Sequence, residues 1–185
     1  MTRPSKNSLR TAAKKAGFSG TGSFLVAVHS QDVVSGLALD VAPSSTYIST
    51  FVLPTFDALS FMHMSLGRRV AICSSDTSCL DKAIEEYKSS LSSVKSSRDL
   101  MEYIASQGIV GEYAVWTNYI CLIRLKYFAK AREFRVNLFD AVRSPSIRER
   151  MNMLIGVQDS EGDESAYQLL AEWSLLTKKL LPSHH

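Results

Sequence analysis

Hydrophobic side chains change their spacing twice along this chain, and the second change does most to bound the fold. Between residues 22 and 70 they alternate with polar or small side chains; after Cys73 they recur every third or fourth position. A period of two marks a strand with a buried face, and a period near 3.6 marks an amphipathic helix. A chain that runs strand-like and then helix-like must cover its sheet with its own helices, because no other apolar stripes exist. The expected class is therefore α+β: an N-terminal helix, a four-stranded antiparallel meander, then a C-terminal helical layer or bundle.

The first helix is predicted over residues 5–16, where Leu9, Ala12, Ala13 and Ala16 share one face and Lys6, Arg10 and Lys14 the other. Gly17 stands where a left-handed residue would stop it. Four strand-like runs follow at 23–30, 33–41, 46–54 and 59–67. Gln31-Asp32 and Ala42-Pro43-Ser44-Ser45 form the first links. Pro54 has no N–H for a ladder and is expected to end the third strand. In the fourth run Phe61, His63 and Ser65 alternate with Met62, Met64 and Leu66, so both methionines are placed on a core face. Gly67 then ends or bulges that strand. The glycines of "GFSGTGSF", lacking a Walker lysine and the full dinucleotide fingerprint, read as a turn.

Leu80, Ala83, Ile84, Tyr87, Leu91 and Val94 line one helix, with Ser78 and Asp81 spaced as a capping box. A short helix over 99–107 is capped by Ser97 and closed by Gly108. Residues 111–142 are one long helix or a hairpin turning near Lys126-Tyr127. Ser144-Pro145 opens another helix. "DSEGDE" is a polar loop, and 164–181 form a last helix stopped by Pro182. The organisation expected is a single domain over 1–182, with helix and sheet in 1–75 and the helical part in 76–182. Residues 183–185, ending in His184-His185, have the look of a tag remnant.

Charge is uneven. Arg124 to Arg150 holds eight Lys/Arg against Glu133, Asp140 and Glu149, whereas Asp159, Glu161, Asp163 and Glu164 have no base among them. A basic surface suits an acidic protein or a phosphate backbone; a solvated helix face is the plainer reading. Residues 1–31 hold Arg3, Lys6, Arg10, Lys14 and Lys15 and no acid before Asp32, a transit-peptide composition that here reads as an ordinary first helix. The three cysteines, Cys73, Cys79 and Cys121, are odd in number and lack CxxC spacing. They are expected as reduced thiols in the cytoplasm. No apolar run is long enough to span a membrane.

Motifs for chemistry are sparse. His63 with Cys73 or Cys121, oriented by Asp57, would make a thiolate–imidazole pair if the ring reached the sulfur, but spacing does not require that contact. Trp116, Tyr119 and Tyr127 beside basic residues resemble a stacking surface. Yet Trp116, Tyr119, Ile120 and Ile123 share a stripe, which points to burial and disfavours nucleic acid. Glu85-Glu86 with Lys82 and Lys88 is a solubility pattern. No metal, cofactor or nucleophile-elbow signature is present.

"Tyr47-Ile48-x-x-Phe51-Val52-Leu53-Pro54" followed by "Phe61-x-His63-x-Ser65-x-Gly67-x-Arg69" resembles a pattern in small uncharacterised bacterial proteins of toxin-immunity and defence neighbourhoods. The resemblance spans about residues 9–140 in order of elements, with its sharp part near twenty residues. It implies a non-catalytic protein that neutralises a cognate toxin or effector by occlusion, and brings no catalytic residues or cofactor. The candidate partner-binding residues are Arg124, Lys130, Arg132 and Arg135 on the basic helices, then Arg68 and Arg69. The alternatives are a small enzyme with a Cys/His pocket and a nucleic-acid binder using residues 124–150.

Overall fold

Helix α1 (Lys6–Lys15) begins because the Ser5 side chain accepts a hydrogen bond from Ser8 N, and ends because Gly17 takes a φ of +91°. There Gly17 N donates to Lys14 O and Phe18 N to Ala13 O, so two orphan carbonyls are satisfied. In this computed structural model, which describes residues 5–20, 22–74 and 78–181, the order continues with β1 (Phe24–His29), β2 (Val33–Val41), β3 (Thr46–Pro54) and β4 (Arg69–Cys73). Six helices follow: α2 (Ser78–Ser90), α3 (Ser97–Ser106), α4 (Glu112–Arg124), α5 (Phe128–Ala141), α6 (Pro145–Ser160) and α7 (Asp163–Lys178). The α+β class, with its leading helix and antiparallel sheet, is as expected. Pro182 and the His184-His185 pair lie outside the described residues, as does Arg3.

The chain divides into two compact units. One takes it through Leu53 and resumes from Met62 to Lys95; the other holds Pro54–Phe61 and Ser96–Leu180. The first unit is the four-stranded sheet, in the order β1-β2-β3-β4, with α1 and α2. Helix α2 packs on β4, β2 and α1. Its Tyr87 is buried against Phe18, ring centroids 5.3 Å apart, and its hydroxyl lies 3.0 Å from Ser35 Oγ. Residues Val33–Leu39 are buried at every position, as are Ile48–Pro54, so β2 and β3 are covered on both faces rather than one.

The fourth strand is not where alternation placed it. Residues 59–67 are a loop, and β4 is Arg69–Cys73, pairing Thr46 with Cys73, Tyr47 with Ile72 and Ile48 with Ala71. The loop returns beside β3 at Gly67, where a β-carbon would sit 1.9 Å from the Thr50 carbonyl oxygen; only glycine allows that approach. Thr50 N donates to Arg68 O, and Arg68 N to the Thr50 hydroxyl. The expected core methionines are accordingly not in the core: Met62 is half-buried and Met64 is 39% exposed. His63 sits in this loop, its Nδ1 accepting from Ser65 N. A two-residue period is necessary for a half-buried strand but does not supply a ladder partner.

A second correction concerns the cysteines. Cys73, the last residue of β4, is bonded to Cys79 in the first turn of α2, Cα atoms 5.4 Å apart, and Cys121, fully buried, stays outside the disulfide. The six-residue separation does not resemble a redox or zinc motif, but the strand-to-helix reversal brings the two β-carbons together.

The second unit is an all-helical assembly around α4, which packs on α3, α5, α6 and α7. Trp116, Tyr119, Ile120, Cys121 and Ile123 are fully buried, as a helix surrounded by helices requires. Residues 111–142 are a hairpin: Lys126, at φ +58°, occupies the left-handed stop, with Lys126 N donating to Ile123 O and Tyr127 N to Leu122 O. Helix α3 is capped by Ser96 and Asp99 in a reciprocal box, one residue before the expected Ser97. Ser78 is itself the first residue of α2 rather than its cap. The polar "DSEGDE" stretch is mostly helical, with only Glu161-Gly162 between α6 and α7.

Candidate functional site

The basic stretch and the acidic stretch, separate in sequence, meet in the helical unit. Arg132 Nη2 lies 2.8 Å from Asp163, Arg135 Nη1 lies 2.8 Å from Asp159, and Lys126 Nζ lies 3.0 Å from Glu164. Gln158, almost fully buried, joins them: its Oε1 accepts from Tyr119 OH and Arg135 Nη2, and its Nε2 donates to Asp163. Burial pushes the Asp163 carboxyl up, but the hydrogen bonds from Arg132 and Gln158 outweigh it and hold the group below the ordinary carboxylate range. Arg124 donates to Tyr167 OH and lies over the Tyr167 and Phe56 rings. Arg143 and Arg148 donate to carbonyls at the end of α5. Arg124, Arg132 and Arg135 are therefore tied to their own unit.

Lys130 differs. Its ammonium lies 5.5 Å from the Tyr127 ring centroid and it lines an open groove of about 490 Å³ on α3, α4 and α5. Met101, Ala105, Leu122 and Phe134 supply the apolar floor, with Lys130 and Glu133 at opposite charge on α5. In the sheet unit Arg68 is ion-paired with Glu86, while the Arg69 guanidinium stacks 4.1 Å over Tyr47.

The residues offered for catalysis do not assemble into a nucleophile. Cys73 is in the disulfide, so it has no thiolate, and Cys121 is fully buried. Asp57 orients no imidazole. It is wholly buried in the helical unit, where Oδ2 accepts from Tyr113 OH at 2.7 Å, Oδ1 accepts from Trp116 Nε1, and Arg150 Nε lies 3.1 Å from Oδ1. Burial raises its pKa from 3.8 to about 6, against the lowering pull of Arg150, Trp116 and Tyr113. The Tyr113 hydroxyl is pushed well above its usual range by burial and then by the Asp57 charge. A carboxyl titrating near neutrality is chemically apt for acid–base work. With no exposed atom and both oxygens occupied by core donors, this one ties the Pro54–Phe61 segment to α4 and α6. Leu59 N, donating to Thr177 Oγ1, ties the same segment to α7.

Sequence reasoning missed this cluster, because Asp57 and its partners are 56 to 93 positions apart, and it missed the ion pairs, although opposite charge blocks at 124–135 and 159–164 were a usable signal. Among the described residues no group of three or more His, Cys, Asp or Glu is placed to hold a metal ion. No helix among them is long and apolar enough to cross a membrane. No protein-family model, curated protein or solved structure matches this chain.

Proposed function

We propose that the protein is a non-catalytic binding module whose partner is another protein, in the manner of an immunity or antitoxin protein that occludes a toxin or effector. The observation that carries this reading is the open groove of about 490 Å³ on α3, α4 and α5. An apolar floor with a few rim charges suits an amphipathic helix laid along it, read by anchors one turn apart. Lys130 is the member of the expected basic surface that stands at this groove. A phosphate backbone would instead need a field of unneutralised cations. Here Lys126, Arg132 and Arg135 already face Glu164, Asp163 and Asp159. The Cys73–Cys79 bond supports an oxidising setting over the cytoplasm that the cysteine count suggested.

The test is co-expression with the product of the adjacent gene in the native genome. Growth arrest by that product, relieved by the wild-type chain but not by Ala105→Arg or Lys130→Glu, is the expected result. Ala105 and Lys130 are both exposed, so neither variant disturbs the core. Absence of rescue by the wild-type chain, or equal rescue by both variants, refutes the reading.

A further inference from the structure

We propose that the outer edge of β4, with the first two turns of α2, is a docking groove for an extended acidic peptide segment of another protein, which would join the sheet as a fifth strand. This surface lies in the sheet unit and does not depend on the helical groove.

A four-stranded open sheet has two edges. The chain occupies part of one itself: Ser19 pairs with Val26 of β1, each N–H donating to the other's carbonyl at 2.7 Å. The other edge is β4, which stands last in the strand order and has β3 as its neighbour. Alternate N–H and C=O groups of an edge strand point away from its partner, and among the described residues no further strand pairs with the outer side of β4. Alongside them lies a cavity of about 570 Å³, walled by Arg69–Ser74 on one side and by Ser78, Cys79 and Lys82 on the other. A groove between an open strand and a helix is the geometry of strand addition, with backbone hydrogen bonds for affinity and flanking side chains for choice.

Two features narrow the occupant. The Cys73–Cys79 bond holds the strand end to the helix, so the groove width is set before binding and little ordering cost remains. Two of its cations are available: among the described residues Lys82 is exposed with no carboxylate partner, and the exposed Arg69 lays its guanidinium over the Tyr47 ring, whereas Arg68 is taken by Glu86. Ile72, 55% exposed on the same strand as Arg69, offers an apolar contact. The ligand is thus an extended segment bearing carboxylates and β-branched residues. Its paired length is short, because the register slips between Ile48 and Ser49, leaving Val70 as a bulge. A second copy of the chain fits poorly, because its own β4 would arrive with α2 tethered beside it.

The probe is a short fluorescein-labelled peptide alternating Glu and Val, titrated by anisotropy against the full disulfide-bonded chain. Two controls accompany it: the Lys-for-Glu peptide, and the same Glu/Val peptide N-methylated at alternate backbone amides. The acidic peptide is expected to bind at least about ten-fold more tightly than the Lys peptide. N-methylation is expected to abolish binding. Hydrogen exchange is expected to slow at Val70–Ile72 in the complex. Lys82→Glu should weaken binding by about ten-fold with an unchanged melting curve. Binding that ignores peptide charge or N-methylation, protection elsewhere than β4, no binding, or a chain that is already dimeric through β4 overturns the proposal. Failure of the toxin-rescue test leaves each of these outcomes unaffected.

Discussion

Replacing Asp57 by Asn changes one atom in a wholly buried cluster and removes a titration that the structure makes unusual. Burial raises the folded pKa of Asp57 from 3.8 to about 6. Between those values the native chain holds a proton that the unfolded chain has released, so this group makes stability fall as pH rises and is most favourable below pH 4. The difference of roughly two pKa units corresponds to about 3 kcal/mol at about 1.36 kcal/mol per unit. Other carboxylates act in the opposite sense. Glu112, which accepts from Ser144 N and Arg143 N at 2.7 Å, is held below its ordinary range by those hydrogen bonds, and Asp163 is also lowered. The raw pH profile of the wild-type chain therefore mixes signs, and the informative quantity is wild type minus Asp57→Asn. Urea unfolding followed by tryptophan fluorescence is suitable, because Trp116 donates directly to Asp57. Relative to the variant, wild type is expected to gain about 2 kcal/mol on going from pH 7 to pH 4, the remainder of the difference appearing only below the unfolded pKa. At pH 7 the variant also leaves the half-buried Arg150 without its anion, an offset that cancels in the pH difference. A flat difference, or one in which wild type loses ground as pH falls, would refute burial as the dominant influence on Asp57.

Other outcomes follow from single observations. Thiol titration in denaturant is expected to find one thiol per chain, Cys121, before reduction and three after. Cys79→Ser should lower stability by about 2 kcal/mol, from the small loop the bond closes; three thiols without reductant would contradict the pairing. A β-carbon at Gly36 would lie 1.9 Å from Leu25 O and one at Gly67 1.9 Å from Thr50 O, so either Gly→Ala change should cost about 3 kcal/mol in chemical denaturation. Gly156→Ala, in α6 with open space at its β-carbon, should instead stabilise by about 1 kcal/mol. Equal effects at the three glycines would remove the steric argument.

What the sequence by itself determined is what neighbouring residues decide together. Gly17 and Gly108 end helices, Pro145 begins one, Pro54 ends β3, and the Trp116–Ile123 stripe is buried, because caps, dihedral limits and helical faces act within one or two turns. The same locality explains the misses. Residues 59–67 alternate as well as any strand here, but β3 takes Arg69–Cys73 as its partner, and a ladder is a choice between distant segments. The disulfide and the Asp57 cluster are likewise meetings across space. The basic helices looked like a free charged surface because their counter-charges lie 24 to 38 residues further on. Only the packing of α5, α6 and α7 around α4 brings Asp159, Asp163 and Glu164 within about 3 Å of those cations, so the charges that neutralise the basic stretch are set by tertiary structure and not by neighbours in sequence.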